Sequence, residues 1–467
     1  MATAIPKNEA GFVLGEIATS CAGRIDPSVA GRRVRGVVTD SRAVEAGNLY
    51  VALRGENHDG HAFLADVHAR GAAAAIVERA DAAPRELPVV VVSDTRAALG
   101  ALAQRHRMRW GGKVVAITGS AGKTTTKELT AAAFTALGHR VLRTQGNLNN
   151  EIGVPMTLFG LDATHDLAVV EMGTSGPGEI ARLAQIARAD VGVVTTVSLA
   201  HTAGLGSLAD VANEKCALLR ALGKDGVAVY SADSEPLRAR VSTFGARRSI
   251  AFGEHESAQV RLMAHALDAA LHTRCELLVA GRAKPLHAEL GLCGVGPALD
   301  AAAALAAVLA LHDDSALETA VPGLLGVTAP PGRLAPRQLA NGALVVDDTY
   351  NANPASMLSS LGTLAELSRV RGGRAIAALA DMAELGAHAQ AEHERVGREA
   401  IRLGVSGLFL CGKEMLNAAA AARDEAVQQQ RTCHVEHNSD ALQLVPSLAA
   451  MLGARDAVLV KGSRSTR

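Results

Sequence analysis

The chain has 467 residues, too many for one ordinary core and enough for two or three domains. Its 47 Lys and Arg balance 47 Asp and Glu, so no global field draws nucleic acid or an anionic membrane surface. The six cysteines (Cys21, Cys216, Cys275, Cys293, Cys411, Cys433) are scattered with no Cys-x-x-Cys pair, which excludes a disulfide framework or a cysteine zinc site and predicts free thiols in a reducing compartment.

With one Trp, three Tyr and seven Phe, the cores must be built from Val, Leu, Ile and Ala. The N-terminus lacks the apolar core of a signal peptide, and no run is long enough to span a bilayer. The expectation is a cytoplasmic enzyme with no membrane insertion and no nucleic-acid partner. Apolar strands alternate with helical stretches, which predicts parallel α/β architecture. The first region offers strands at Gly36–Val38, Leu49–Leu53, Ala72–Val77 and Val89–Val92, then a helix Thr95–Met108 with a linker-like exit, Trp110-Gly111-Gly112. The second opens on the strand Val114–Ile117 and continues through Leu167–Val170, Val191–Val197 and Val227–Tyr230. Residues 249–296 are less regular and read as antiparallel strands ahead of an Ala-rich helix, Leu299–Leu311. A Pro/Gly cluster from Pro322-Gly323 to Pro330-Pro331-Gly332 marks a second boundary. The third region reads as doubly wound, with strands Leu344–Val346, Ala375–Leu379, Leu408–Cys411 and Ala457–Val460. The expected division is 1–110, 111–318 and 319–467: a first domain, a central P-loop parallel-sheet ATPase domain and a C-terminal Rossmann-like domain.

The strand Val114–Ile117 runs into Gly119-Ser120-Ala121-Gly122-Lys123-Thr124-Thr125 and then a helix. Such a turn aims backbone N–H groups at an anion, and the helix N-terminus adds positive potential. Lys123 can reach terminal phosphates and the Thr124 hydroxyl can hold Mg²⁺. The loop is shorter than the usual P-loop, whose first glycine would fall at Ile117. These features predict a nucleoside triphosphate site. A metal-positioning carboxylate is expected at a neighbouring strand end, and Glu171 follows Leu167–Val170 directly. The strand Val191–Val197 delivers His201 toward the same crest, where open α/β sheets bind their ligands. Lys215 falls within the apolar stripe Leu208, Val211, Leu218, Leu219, Leu222 of a helix at 207–222. A buried ammonium must be paired, neutralised or altered; periodicity alone favours a buried stem with the amine reaching water.

These residues resemble the Mur ligase family of cell-wall precursor synthesis over nearly the whole chain. The resemblance rests on 118–127, Asn147-Leu148-Asn149-Asn150-Glu151, Glu171-Met172-Gly173-Thr174-Ser175, Asp347-Asp348-Thr349-Tyr350-Asn351-Ala352-Asn353-Pro354 and Lys461-Gly462-Ser463-Arg464. Asp40-Ser41-Arg42 with 47–53 is similar to the family's UDP-sugar-binding domain, here 1–110. The chain departs from the pattern at 294–300, where an Asn expected to contact adenine is missing and Asp300 closes the run, and at Ala380, where Gly is usual. It also stops at Arg467, where relatives continue.

The resemblance implies ATP-dependent addition of D-alanyl-D-alanine to UDP-N-acetylmuramoyl-tripeptide through an acyl phosphate, by a monomer. It implies two Mg²⁺ ions near Thr124, Glu171 and His201, and carbamylation of Lys215. Lys123, Lys215, His201 and Arg333 would form the catalytic set. Gly119 through Thr125 with Asp348, Asn351 and Asn353 would hold ATP. Ser41, Arg42, Asn147, Asn149, Asn150, Thr174 and Ser175 would meet the sugar-peptide substrate. Other readings of the loop remain open: a sister ligase with a different amine, a nucleotide-driven switch, or a small-molecule kinase.

Overall fold

The computed structural model describes residues 3–55, 58–199, 202–246 and 248–464. Its largest sheet has nine strands, in the spatial order 286–290, 273–279, 260–267, 248–253, 227–231, 191–194, 113–118, 167–171 and 141–143. Neighbours run parallel from Val141–Arg143 as far as Val260–Leu267; the last two pairings are antiparallel. The central strands, Lys113–Thr118, Leu167–Glu171 and Val191–Val194, are Val-rich runs buried on both faces, the mark of a parallel sheet covered by helices on each side. Alternate residues serve the two faces. Val115 and Ile117 pack with Leu129, Phe134 and the helix Val295–Leu311, while Val114 and Ala116 pack with Leu183, Leu218 and Leu219. Ala301 through Ala304 and Ala306-Ala307 are fully buried; their small side chains let that helix lie close to the helix Lys123–Ala136.

The first region forms a four-stranded parallel sheet (37–38, 49–51, 74–77, 89–91) beside a short antiparallel pair, Gly11–Val13 with Arg33–Arg35. Gly36, expected within a strand, sits instead at φ 80° between two of them. The helix Thr95–Trp110 starts on Asp94, whose carboxylate accepts from the N–H groups of Arg96 and Ala97, and ends at Gly111 with φ 78°. Its exit is no slack linker. Trp110 Nε1 donates to the Asp162 carbonyl (3.0 Å), and Arg107 donates to the Ala187 carbonyl (3.1 Å) and to Asp190 (3.0 Å). The third region is a six-stranded sheet in the order 335–338, 344–348, 457–461, 375–380, 405–411, 434–438, parallel except for the pairing of 335–338 with 344–348.

The Pro/Gly boundary is narrower than its sequence implies. Val321–Gly326 is a 3₁₀ segment whose Leu324 is buried in the core of the phosphate-loop helix. Only the residues after Val327 cross to the C-terminal sheet. Strands at Gly11–Val13, Arg33–Arg35, Val141–Arg143, Ala335–Gln338 and His434–Asn438 went unread, because each is short and at most one of its residues is fully buried. The strand expected over 191–197 stops at Val194, where the chain bends to meet the phosphate loop. No helix among the described residues is long and apolar enough to cross a membrane.

Candidate active site

The loop after Lys113–Thr118 is shaped by two glycines with positive φ, Gly119 (153°) and Gly122 (81°). Side chains are excluded from both by their neighbours as well as by φ. A Cβ on Gly119 would lie 1.9 Å from Thr195 Oγ1, and one on Gly122 would lie 2.3 Å from Asp300 Oδ1. Ser120 laces the loop to the next strand exit: its N–H donates to the Thr196 carbonyl (2.9 Å) and its hydroxyl to the Ser198 carbonyl (3.1 Å). The helix Lys123–Ala136 then opens with its first N–H groups facing the turn, an anion-binding arrangement. Lys123 Nζ donates to the Gly119 carbonyl at 2.8 Å. Burial lowers its pKa, Glu171 opposes the fall, and Arg333 adds to it.

Thr124 and Glu171 meet as the sequence expects of a metal pair. Thr124 Oγ1 donates to Glu171 Oε2 at 2.9 Å, and both residues are buried. Glu171 is held from three further directions. Asn149 Nδ2 donates to Oε1 (2.8 Å), Lys127 Nζ lies 3.9 Å from Oε2, and the Glu171 N–H donates to Thr144 Oγ1 (2.9 Å). Lys127 and Thr144 were not singled out from the sequence. Lys127 sits one helical turn beyond Lys123, on the same face, which is the signal that would have found it. His201 lies outside the described residues.

Lys215 corrects the periodicity argument. Its helix is Leu208–Arg220, started by a capping box in which Ser207 and Asp210 bond each other's backbone. Leu208 is exposed, so it does not belong to the buried stripe, whereas Lys215 is only 1% exposed and does not reach water. Burial, and next the proximity of Lys123, push its pKa well below the usual lysine range against the pull of Glu214 and Glu179. Among the described residues it forms no hydrogen bond or ion pair. Glu214 beside it is occupied, accepting the N–H groups of Gly178 and Ile180 at 2.7 Å each.

A crevice of about 1130 Å³ joins the loop to the C-terminal sheet. Ser120, Ala121, Gly122, Lys123, Thr125 and Glu171 line it from the central sheet, together with Asn149, Asn150, Thr174 and Ser175. Arg333, Asp348, Asn351 and Asn353 line it from the other side. Arg333 stacks its guanidinium on the Tyr350 ring at 4.1 Å. Two of the residues read as nucleotide ligands are already engaged by the protein. Asp348 accepts from Lys461, from Ser360 Oγ (2.7 Å) and from the Leu334 N–H (3.1 Å). Asn353 caps the helix Pro354–Arg371 and its Nδ2 donates to the Ser120 carbonyl at 3.1 Å. Asn147 is apart from the main crevice; it accepts from Thr3 (2.7 Å) and lines a smaller hollow of about 170 Å³ with Thr124 and Arg333. Ser41 and Arg42 line neither; Arg42 is exposed and pairs with Asp40 (2.7 Å) in a 3₁₀ turn of the first sheet. Asp300, only a departure in the sequence, lines the crevice beneath the loop. All six cysteines are free, and none joins a metal-ligating cluster among the described residues.

Comparison with known proteins agrees with this layout. The Mur ligase family catalytic domain matches residues 33–107, the Mur ligase middle domain 117–308, and the Mur ligase glutamate ligase domain 332–464. The chain is 36% identical over 437 residues to UDP-N-acetylmuramoyl-tripeptide–D-alanyl-D-alanine ligase of Escherichia coli, covering 92% of this chain and 91% of that one. It is 31% identical to the Bacillus subtilis protein of the same name, covering 99% and 96%. A crystal structure of MurF from Acinetobacter baumannii superposes with a TM-score of 0.88 at 29% identity, covering 98% and 97%. MurF ligase of Thermotoga maritima in complex with ADP gives 0.80 at 27% identity, covering 92% and 94%.

Proposed function

The chain belongs to the Mur ligase family, and from that premise we propose that it is an ATP-dependent ligase joining D-alanyl-D-alanine to UDP-N-acetylmuramoyl-tripeptide in peptidoglycan precursor synthesis. The observation that carries the reading is the crevice itself, in which Lys123, Glu171 and Arg333 converge around a glycine-shaped turn. The γ-phosphoryl group passes to the tripeptide carboxylate, giving an acyl phosphate. The dipeptide amine then attacks that carbonyl and phosphate leaves. Transfer between two anions needs cationic stabilisation more than covalent catalysis, and Lys123 and Arg333 supply fixed positive charge. Thr124 and Glu171, with His201, would hold Mg²⁺, which would neutralise charge on the phosphates. The fit rests on an oxygen donor pair of the kind Mg²⁺ prefers, already in contact.

Carbamylation of Lys215 belongs to the same reading. A neutral, unpartnered amine is the form that adds CO₂, and the resulting carbamate is an anion beside the Lys123 ammonium. Asn149, Asn150, Thr174 and Ser175 would meet the sugar-peptide, with Asn147 at its edge. Asn351 would face the nucleotide, with Asp348 and Asn353 shaping that wall. Residues 1–110, with Ser41 and Arg42, would take the uridine nucleotide, 111–318 ATP, and 319–467 the incoming dipeptide. A monomer acting in the cytoplasm belongs to the same reading.

The test is phosphate release from ATP with UDP-N-acetylmuramoyl-tripeptide, measured with and without D-alanyl-D-alanine. Release that requires both substrates is expected. Release without the dipeptide, with a stable phosphorylated product, would make the protein a kinase. Nucleotide binding with no substrate-dependent release would make it a switch.

A further inference from the structure

An arm from the first region reaches into the central one. Thr3 lines the hollow of about 170 Å³ together with Thr124, Asn147, Arg333 and Arg464. Its hydroxyl clasps Asn147 at two points: Oγ1 donates to Asn147 Oδ1 (2.7 Å) and accepts the Asn147 N–H (3.2 Å). The approach depends on Gly146, which has φ 51°. A Cβ there would lie 2.1 Å from Thr3 Oγ1, so only glycine lets the arm come this close.

The other end of the arm is fixed to the first sheet. Asn8 Nδ2 donates to the Val37 carbonyl (2.9 Å), and Asn8 Oδ1 accepts the Val37 N–H (3.0 Å). The Ala10 carbonyl accepts the Gly36 N–H (2.9 Å), and Lys7 and Glu9 pair with Glu45 and Arg35. Between Asn8 and Thr3 the chain has no secondary structure, and five residues reach at most roughly 17 Å. Pro6 fixes its own φ and biases Ile5 toward an extended backbone, which lowers the entropy lost in holding the arm in place.

The clasp also sets which way the Asn147 amide faces. A hydroxyl has one proton. With the Asn147 N–H on its lone pair, that proton goes to Oδ1, and Nδ2 keeps no protein acceptor among the described residues. The flipped amide would put two donors on the hydroxyl oxygen and leave its proton unused. Arg333 and Arg464, on the same hollow, have no ion-pair partner among the described residues. The hollow therefore offers donors and positive charge, which suits an oxygen acceptor of an anionic ligand.

We propose that Thr3 is a positioning residue for the sugar-peptide substrate: it holds Asn147 so that Nδ2 donates to an oxygen of that substrate. This rests on the reading of Asn147 as a substrate contact. The amide is oriented before the ligand arrives, so binding need not order it. Thr3 takes no part in phosphoryl transfer.

The experiment is calorimetric binding of UDP-N-acetylmuramoyl-tripeptide, with steady-state kinetics, on the parent, Thr3→Val, Thr3→Ser, Asn147→Ala and the double variant Thr3→Val/Asn147→Ala. Valine keeps the shape of threonine and lacks the hydroxyl. Thr3→Val is expected to raise Kd and KM for the sugar-peptide by roughly fivefold, the net worth of one hydrogen bond, with kcat and the KM for ATP at parent values. Thr3→Ser keeps the hydroxyl and should restore the affinity. In the Asn147→Ala background Thr3→Val should change nothing further, because no amide is left to orient. An equal loss in both backgrounds would mean that Thr3 acts without Asn147, and would overturn the proposal. Unchanged affinity in Thr3→Val would overturn it too. Tighter binding in Thr3→Val would do the same, making the arm an obstruction that the substrate displaces. A folded parent that binds no UDP-N-acetylmuramoyl-tripeptide would overturn the proposed function itself.

Discussion

At the scale of single residues the chemistry is concentrated in groups that burial has made costly. Lys123, Lys215 and Lys461 all have lowered pKa values with desolvation as the leading cause. Lys461 is compensated by Asp348 and the Asn351 carbonyl (3.0 Å); Lys215 has no such partner among the described residues. A side chain retained there at that energetic cost is expected to act chemically. Lys215→Ala should therefore abolish ligation while leaving the fold intact, since removing an uncompensated buried amine removes a desolvation penalty. Acetate or formate should restore part of the rate by occupying the vacated space with a carboxylate. Full activity in Lys215→Ala, without added acid, would remove the lysine from the mechanism.

At the scale of elements, caps and helix ends aim the site. The phosphate-loop helix directs its N-terminus into the crevice, and the helix Pro354–Arg371 points its own capped end at the same loop through Asn353. Asn353 has two tasks that substitution can separate. Asn353→Ala removes both and should cost about 1 kcal/mol from the lost cap, read as a lower unfolding midpoint. Asn353→Ser keeps a capping oxygen but cannot span to Ser120, so stability should stay near the parent while the KM for ATP rises. Equal stability loss in the two variants would mean the Ser120 contact, not the cap, supports the helix.

At the scale of the whole molecule, the three sheet-bearing regions are joined by short, well-packed crossings rather than loose tethers. The C-terminal region meets the central one directly. The Ala203 N–H and the Thr202 hydroxyl donate to the Glu384 carbonyl at 2.9 and 3.2 Å, and Arg333 lies over Tyr350 at the crossing. Closure of the crevice about these contacts would shield the acyl phosphate of the proposed reaction from water. Arg333→Ala should lower kcat by roughly 10²-fold or more through lost charge stabilisation, while nucleotide affinity changes far less. A drop in ATP affinity that accounts for the whole loss in kcat/KM would assign Arg333 to ground-state binding instead.

Local chemistry along the chain was enough for the turn at 119–124, the Val-rich central strands and the strand-end position of Glu171, because backbone propensity, hydrophobic period and glycine placement act over a few residues; the family was legible only through the resemblance of its motifs. Edge strands such as Ala335–Gln338 escaped, since they have little or no buried face to impose a period. The fate of Lys215 could not be read at that range. A stripe at 100° per residue says which side of a helix is covered but not how deeply, and the thickness of protein over that side is set by elements distant in sequence. For the same reason only the assembled structure placed Asp348 with Lys461, 113 residues away, and Asp300 with Thr126, 174 residues away. Ionisation inside a fold depends on neighbours brought together by packing, and sequence order does not reveal them.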